Sequence, residues 1–112
     1  MRLPQAQLAI VNREKITDYL LNPAHPDNGG KARFFACCGF VSERWSELAE
    51  SLKAMAIATE VTERVQSIHG TKYALDGPLV TPVGASAPVR TIWIIDHGSD
   101  IPRLVTAYPA KD

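Results

Sequence analysis

The stretch from residue 90 to residue 108 constrains the fold most strongly, because it holds two strand-like runs around a short polar break. Residues 91–95 place β-branched and aromatic side chains on both faces of an extended strand, and residues 103–108 alternate more openly. The break at residues 97–100 is typical of a turn, so the stretch predicts a β-hairpin. A strand that is apolar on both faces favours an interior position in a covered sheet.

If that break is the whole loop, the antiparallel partners of the hairpin are fixed. Trp93 then faces Leu104, and Thr91 faces Thr106 on the same side of the sheet, with Tyr108 one pair further along. Two interpretations of the threonine pair remain open. It is either a cross-strand pair that only stabilises the sheet, or two hydroxyls and a phenol directed into a shared site.

Length and composition predict one globular domain over residues 1–112, with a single core. Twelve basic and twelve acidic side chains balance, which argues against a long nucleic-acid track and favours association, as a homo-oligomer or with a partner protein. The adjacent Cys37 and Cys38 fit neither an ordinary disulfide nor a CxxC motif, and they indicate a reducing, cytoplasmic location. Neither a signal-like segment nor a run of about 18 apolar residues is present, so no membrane insertion is expected.

Helical spacing precedes strand spacing along the chain. Residues 12–58 carry the helix signals, and the strongest is an apolar stripe that begins at Trp45, with Ser42 as the predicted cap. Residues 61–109 predict three or four antiparallel strands, with residues 76–78, Asp-Gly-Pro, as a turn. The sequence therefore predicts an α+β domain with N-terminal helices packed on one face of a C-terminal antiparallel sheet.

Three histidines are the candidates for proton transfer near neutral pH. His25 lies between two prolines ahead of residues 29–30, both glycine, and Lys31, where free N–H groups at a helix start attract an anion. A loop histidine is more often only solvated. His69, beside a strand end, is more often structural, and His97 in the hairpin loop is expected to be exposed.

Other chemistries lack their motifs in this chain. The histidines are not at HExxH spacing and the acidic residues of the hairpin have no EF-hand frame, so no metal site is predicted. There is no Gly-x-Ser-x-Gly elbow and no Gly-x-Gly-x-x-Gly turn, which disfavours hydrolase and dinucleotide-binding functions. No cofactor is expected.

A set of spaced motifs runs along nearly the whole chain. The motifs are Lys15-x-x-x-Tyr19-Leu-Leu-Asn22-Pro-x-His25-Pro, Lys31-Ala-x-Phe-Phe35, Gly70-Thr-Lys-Tyr73, Gly77, Arg90-Thr-x-Trp93 and Leu104-Val-Thr-Ala-Tyr108-Pro. Together they resemble a bacterial family of domains of unknown function, which occur as small stand-alone proteins and as C-terminal toxin-like modules. The layout of helices followed by a sheet is similar to that of the barnase/EndoU/RelE-like (BECR) ribonucleases, where toxins cut RNA without a metal.

The resemblance implies a cleft between the helices and the sheet, and a metal-independent endoribonuclease that uses the RNA 2′-hydroxyl to attack the adjacent phosphate. The residues implied to be catalytic are His25, Lys31, Thr106 and Tyr108. The residues implied to bind substrate are Lys72, Tyr73 and Thr91, and His69 is predicted beside them from its position next to Lys72 and Tyr73 in the sequence. In this hypothesis His25 is the acid or base, and Lys31 or Lys72 steadies the phosphorane charge. RNA and a cognate antitoxin or immunity protein are the expected partners.

The alternative is a non-catalytic protein-binding module of an uncharacterised bacterial operon. A nuclease requires His25, Lys31 and the threonines to converge within hydrogen-bond reach of one phosphate-sized space. A binding module leaves those residues scattered and exposes an apolar patch instead.

Overall fold

The computed structural model describes residues 1–27 and 30–110, and its helices precede its strands along the chain. The helical segments are a 3₁₀ turn (Ala6–Leu8), α1 (Arg13–Lys15) continued by a π turn (Ile16–Leu20), α2 (Lys31–Cys37), a second 3₁₀ turn (Ser42–Arg44) and α3 (Trp45–Ala58). The strands are β1 (Val61–Ser67), β2 (Gly70–Val80), β3 (Ser86–Asp96) and β4 (Arg103–Pro109). They form one antiparallel sheet in the order β1-β2-β3-β4, which confirms the predicted α+β class. Within the described ranges, no helix has the length and apolar content needed to cross a membrane.

The core lies between α3 and the face of the sheet that carries the apolar side chains of β2 and β3. Leu48 and Leu52 of α3, one helical turn apart, are fully buried, as are Leu75 and Trp93 of the sheet. Complete burial of one such leucine stabilises the fold by about 1.5–3 kcal/mol. The predicted apolar stripe of α3 is therefore the main helical contribution to the core.

The start of α3 differs from the prediction. Ser42 opens a 3₁₀ turn, in which the Arg44 N–H donates to the Val41 carbonyl oxygen at 3.1 Å, and α3 begins only at Trp45. Among the described residues, no side chain caps α3 by a hydrogen bond. The prediction of Ser42 as a side-chain cap is wrong, because the 3₁₀ turn satisfies a backbone donor in its place.

The predicted turn at residues 76–78 is wrong, because β2 continues through these residues to Val80. Gly77 is needed at this point of the strand, since a Cβ atom here would lie 2.9 Å from the side chain of Thr59. Pro78 pairs with Pro88, and the Pro88 carbonyl oxygen accepts from the N–H of residue 110, on the side of β4. A proline pair is tolerated where neither residue has to donate to the other strand.

The ladder between β3 and β4 changes register at a bulge. Trp93 pairs with Leu104, as predicted. The register then shifts, because Val105 is an extra residue in β4, and Thr106 pairs with Ile92. Alternation of apolar and polar residues does not reveal one inserted residue, and a single insertion changes every partner beyond it.

The bulge separates the two threonines that the sequence analysis had paired. Thr91 pairs with Ala107 and is fully buried, and its hydroxyl oxygen accepts a hydrogen bond of 2.9 Å from the indole N–H of Trp93. Thr106 lies on the opposite face of the sheet, because neighbouring residues of a strand alternate between faces. The predicted pair is wrong, and both interpretations that depended on it fall with it.

Candidate active site

The site begins at the π turn that follows α1. The N–H of Leu21 donates to the carbonyl oxygen of Ile16 at 2.8 Å, which is the five-residue spacing of a π turn. Ile16 and Leu20 are fully buried in the core, whereas Tyr19, between them, is only partly buried. Single π turns are rare in proteins, and many of those that are found lie at functional sites. This one places the Tyr19 hydroxyl against β4.

Three segments that are distant in the sequence meet at the phenolic oxygen of Tyr19. The Lys31 ammonium group at the start of α2 donates to this oxygen at 2.7 Å. The Thr106 hydroxyl of β4 lies 3.3 Å from it. The same ammonium nitrogen lies 5.9 Å from the ring centroid of Tyr108, so the second tyrosine flanks the cluster. A short bond from a cation to a phenol is a strong, charge-assisted interaction.

The pKa of Tyr19 lies below the ordinary value of 10.0 for a tyrosine. Partial burial raises this pKa, but four other effects outweigh burial. They are the hydrogen bonds of the phenol with Lys31 and with Thr106, and the positive charges of Lys31 and Lys15. A nearby cation favours the charged form of an acid, so the site stabilises the phenolate of Tyr19.

His25 packs edge-on against Tyr19, with ring centroids 4.9 Å apart and an interplanar angle of 77°. Its Nδ1 accepts a hydrogen bond of 3.1 Å from the backbone N–H of Asp27. This bond assigns the neutral tautomer, because a nitrogen that accepts carries no proton and the proton is then on Nε2. His25 therefore offers an N–H donor beside the phenol.

Tyr19, His25 and Thr106 border an open cleft of about 750 Å³, and Lys31 reaches it through its hydrogen bond to the Tyr19 phenol. Its walls come from the N-terminal helical segment, the loop after it and β4, and the lining residues are Asn12, Glu14, Lys15, Asp18, Tyr19, His25, Asp27, Arg103, Val105 and Thr106. Both signs of charge are present. The guanidinium of Arg103 is held by Asp96 through bonds of 2.7 and 3.1 Å, whereas Lys15 forms no salt bridge with any residue in the described ranges.

The structure brings the four residues predicted to be catalytic into one neighbourhood around Tyr19. Lys31 and Thr106 bond to the phenol, His25 packs against its ring, and Tyr108 lies next to Lys31. The predicted anion site at residues 29–30 falls partly on Gly29, which lies outside the described residues. Gly30 itself has a φ of +89° directly before α2.

The four residues predicted to bind substrate do not line this cleft. Thr91 and Tyr73 are buried on the core face of the sheet, with exposed fractions of 0% and 5%. Lys72 is exposed on the outer face, where it borders a small hollow of about 190 Å³. His69 is exposed in the turn between β1 and β2, and its carbonyl oxygen accepts from the His97 N–H.

Tyr19 is the site residue that sequence reasoning missed. Ile16, Tyr19 and Leu20 recur at helical spacing, which predicts the apolar face of an α-helix and does not reveal a π turn. The signal that pointed to it was the motif Lys15-x-x-x-Tyr19, which places a lysine one helical turn before a tyrosine. Among the described residues, no group of three or more His, Cys, Asp or Glu side chains is arranged to hold a metal ion.

Comparison with protein families identifies the chain. A family model described as a domain of unknown function, DUF6883, matches residues 2–111. The chain belongs to the DUF6883 family. This confirms the resemblance to a family of domains of unknown function, and comparison with curated proteins gives no match.

Among solved structures, the DUF6883 fold is similar to a chain of the contact-dependent growth inhibition toxin–immunity protein complex from Klebsiella pneumoniae 342. The TM-score is 0.74 with 16% sequence identity, over 96% of this chain and 97% of that chain. At this identity the similarity shows a shared fold. Neither match names a barnase/EndoU/RelE-like ribonuclease.

Proposed function

We propose that this DUF6883 chain is a toxin-like endoribonuclease that cuts RNA by transesterification in the cleft at Tyr19. One observation carries the proposal, namely the 2.7 Å hydrogen bond from the Lys31 ammonium group to a phenol whose pKa is lowered. A stabilised phenolate is a base, and a hydrogen-bonded ammonium group is an acid, so the pair holds both groups that RNA transesterification requires.

The pair accounts for both proton transfers of the reaction. The Tyr19 phenolate takes the proton of the ribose 2′-hydroxyl, and the 2′-oxygen forms a bond to phosphorus. The bond from phosphorus to the 5′-oxygen breaks, and this oxygen leaves with a proton from Lys31. The products are a 2′,3′-cyclic phosphate and a 5′-hydroxyl. Because the two side chains are hydrogen bonded, the proton on Tyr19 then returns to Lys31 and restores the starting pair.

The remaining side chains are assigned to the charge that develops on the phosphate. The Nε2–H of His25 donates to a non-bridging oxygen, where a fixed donor stabilises a transition state most. The single hydroxyl proton of Thr106 is donated to the Tyr19 phenolate, which it stabilises as a base. The ring of Tyr108 holds the Lys31 ammonium group near the phenol. This assignment moves the acid–base role from His25 to Tyr19 and Lys31, since Nδ1 of His25 is already occupied by a backbone donor.

A link of this chain to a toxin system is supported by its similarity to a chain of a toxin–immunity protein complex. That complex contains a toxin and an immunity protein, so the shared fold is compatible with either role. The cleft and its phenol–ammonium pair favour the toxin role for this chain, with a cognate immunity protein as its partner.

The proposal is tested by tightly controlled expression in a bacterial host, with growth recorded and total RNA analysed on a gel. Wild-type protein is expected to stop growth and to produce RNA fragments, and Tyr19→Phe and Lys31→Ala are expected to abolish both effects. Lys72→Ala is the matched control, because it makes the same change at a lysine of β2 that does not line the cleft. Growth arrest and fragments that persist in Tyr19→Phe would contradict the proposed base.

The role of His25 is tested with two substitutions of the same residue. His25→Gln keeps an N–H donor and is expected to retain most of the RNA fragmentation, whereas His25→Ala loses it. Equal loss in both variants, with soluble protein, would instead assign the proton transfer to His25.

A second candidate function is a non-catalytic protein-binding module, which is favoured by apolar side chains exposed at one end of β1. Val65 is 57% exposed, and Ile68 in the following turn is 85% exposed. Exposed apolar residues close together are typical of protein-binding surfaces. Normal growth and intact RNA, with wild-type protein present in soluble form, would favour this candidate over the ribonuclease.

A further inference from the structure

Two ammonium groups flank the ring of Tyr19. The Nζ atom of Lys15 lies 5.3 Å from the ring centroid and that of Lys31 lies 5.0 Å from it. Because both are measured from the same centroid, the two nitrogens are no more than about 10 Å apart. Lys31 is bound to the phenolic oxygen, whereas the role of Lys15 is not accounted for by the reaction proposed above.

Among the described residues that line the cleft, Lys15 is also the cation that remains available to a ligand. It is partly buried in the same cleft wall as Tyr19, His25 and Thr106, and it forms no salt bridge within residues 1–27 and 30–110. Arg103 lines the cleft too, but both of its hydrogen bonds go to Asp96. A lysine that has no carboxylate partner in the described ranges and lies beside the proposed phosphate site is suited to contact a second phosphate.

We infer that Lys15 contacts the RNA phosphate adjacent to the one at Lys31, so that the substrate is a single strand bound through two consecutive phosphates. This inference rests on the proposed function. A pocket of about 300–1,000 Å³ encloses a drug-sized ligand, so a cleft of about 750 Å³ has room for about two nucleotides. The carboxylates of Glu14, Asp18 and Asp27 line the same cleft and disfavour a longer phosphate track along it.

The competing role for Lys15 is electrostatic only, because its charge also lowers the pKa of Tyr19. The two roles differ in a measurable way. A residue that acts only on Tyr19 affects every RNA substrate equally and shifts the pH profile of cleavage. A residue that binds a second phosphate affects only substrates that have one, and it changes the salt dependence of binding.

The binding test uses a fluorescein-labelled single-stranded oligodeoxynucleotide of mixed sequence, which lacks the 2′-hydroxyl and is not cleaved. Its affinity for wild-type protein, Lys15→Ala and Arg64→Ala is measured by fluorescence anisotropy over a series of salt concentrations. Arg64 is the matched control, since it is an exposed cation on β1, at the other edge of the sheet from β4. In Lys15→Ala, loss of one phosphate contact is expected to make the negative slope of log K against log salt shallower by about 0.7. Arg64→Ala is expected to leave the slope unchanged.

The cleavage test compares mixed-sequence ribodinucleotides, which have one phosphate, with ribotrinucleotides, which have two. Lys15→Ala is expected to lower kcat/KM for the trinucleotides about tenfold more than for the dinucleotides. Equal loss on both substrates with an unchanged salt slope would overturn the inference and leave Lys15 with the electrostatic role. A reduced slope without RNA cleavage by the wild-type protein would support the phosphate contact and refute the proposed function.

Discussion

The buried hydroxyl of Thr91 is expected to stabilise the fold, and replacing it by valine tests the observed register of the sheet. The hydroxyl oxygen accepts from the indole N–H of Trp93 at 2.9 Å, and both side chains are fully buried. Thr91→Val has almost the same shape, so it removes the acceptor without creating a large cavity. The indole N–H is then buried without a partner.

The cost of a buried, unsatisfied donor of this kind is about 1–3 kcal/mol. In a chain of 112 residues, one kcal/mol corresponds to a change in Tm of about 4 °C. Thr91→Val is therefore expected to lower Tm by about 4–12 °C. Thr62→Val is the matched control, because Thr62 is exposed on β1 and its replacement should change the free energy of unfolding by less than about 0.5 kcal/mol.

A double-mutant cycle with Trp93→Phe identifies the hydrogen bond as the cause. The free energy of unfolding is measured by denaturant titration for the wild-type protein, both single variants and the double variant. In the Trp93→Phe background no indole donor remains, so Thr91→Val should cost much less, with a coupling energy of about 1 kcal/mol or more. A cost for Thr91→Val that is the same in both backgrounds, or no larger than that of Thr62→Val, would refute this reasoning.

Three further substitutions give stability predictions. Gly77→Ala is expected to destabilise the fold by about 1–3 kcal/mol, because the new Cβ meets Thr59 at 2.9 Å, and Thr59→Ala in the same chain should recover much of the loss in a thermal melt. Hydrogen bonds from Arg90 lower the pKa of Asp76, so the ionised carboxylate contributes up to about 1 kcal/mol to the free energy of unfolding. This contribution is lost as the pH falls through the depressed pKa of the folded state. In Asp76→Asn, the free energy of unfolding should lack this acid-dependent loss. The pKa of Tyr19 is also lowered, so its ionisation stabilises the fold above the ordinary value of 10.0, and the stability advantage of wild-type protein over Tyr19→Phe should be larger at about pH 10.5 than at about pH 8 in denaturant titrations.

The features of the fold that were predicted correctly are those in which apolar residues recur at a regular spacing along the chain. The apolar stripe of α3 recurs over several turns, and the hairpin from β3 to β4 is defined by two runs and a polar break, so both were predicted with the correct class. Local irregularities were not predictable from spacing. The extra residue Val105 shifts the ladder, and the continuation of β2 through Gly77 depends on the approach of Thr59, which lies in a different part of the chain.

The site was predicted in part for the same reason. His25, Lys31, Thr106 and Tyr108 came from spaced motifs, which record residue identity without geometry, and the structure places them around one phenol. The phenol of Tyr19 was not predicted as part of the site, because its position depends on a π turn and on contacts with two distant segments. The same motifs also selected Thr91 and Tyr73, which lie on the core face, since a motif does not state which face of a strand a residue occupies.

The most direct test of the proposed mechanism is the pH profile of RNA cleavage by purified protein, with the termini of the products identified. Wild-type protein is expected to form 2′,3′-cyclic phosphate and 5′-hydroxyl ends, with a rate that rises with pH up to an apparent pKa below 10.0, where Tyr19 becomes the phenolate. Tyr19→Phe should lose both this rise and the cleavage. Cleavage that persists in Tyr19→Phe with an unchanged profile, or wild-type protein that leaves RNA intact at every pH, would contradict the Tyr19–Lys31 mechanism.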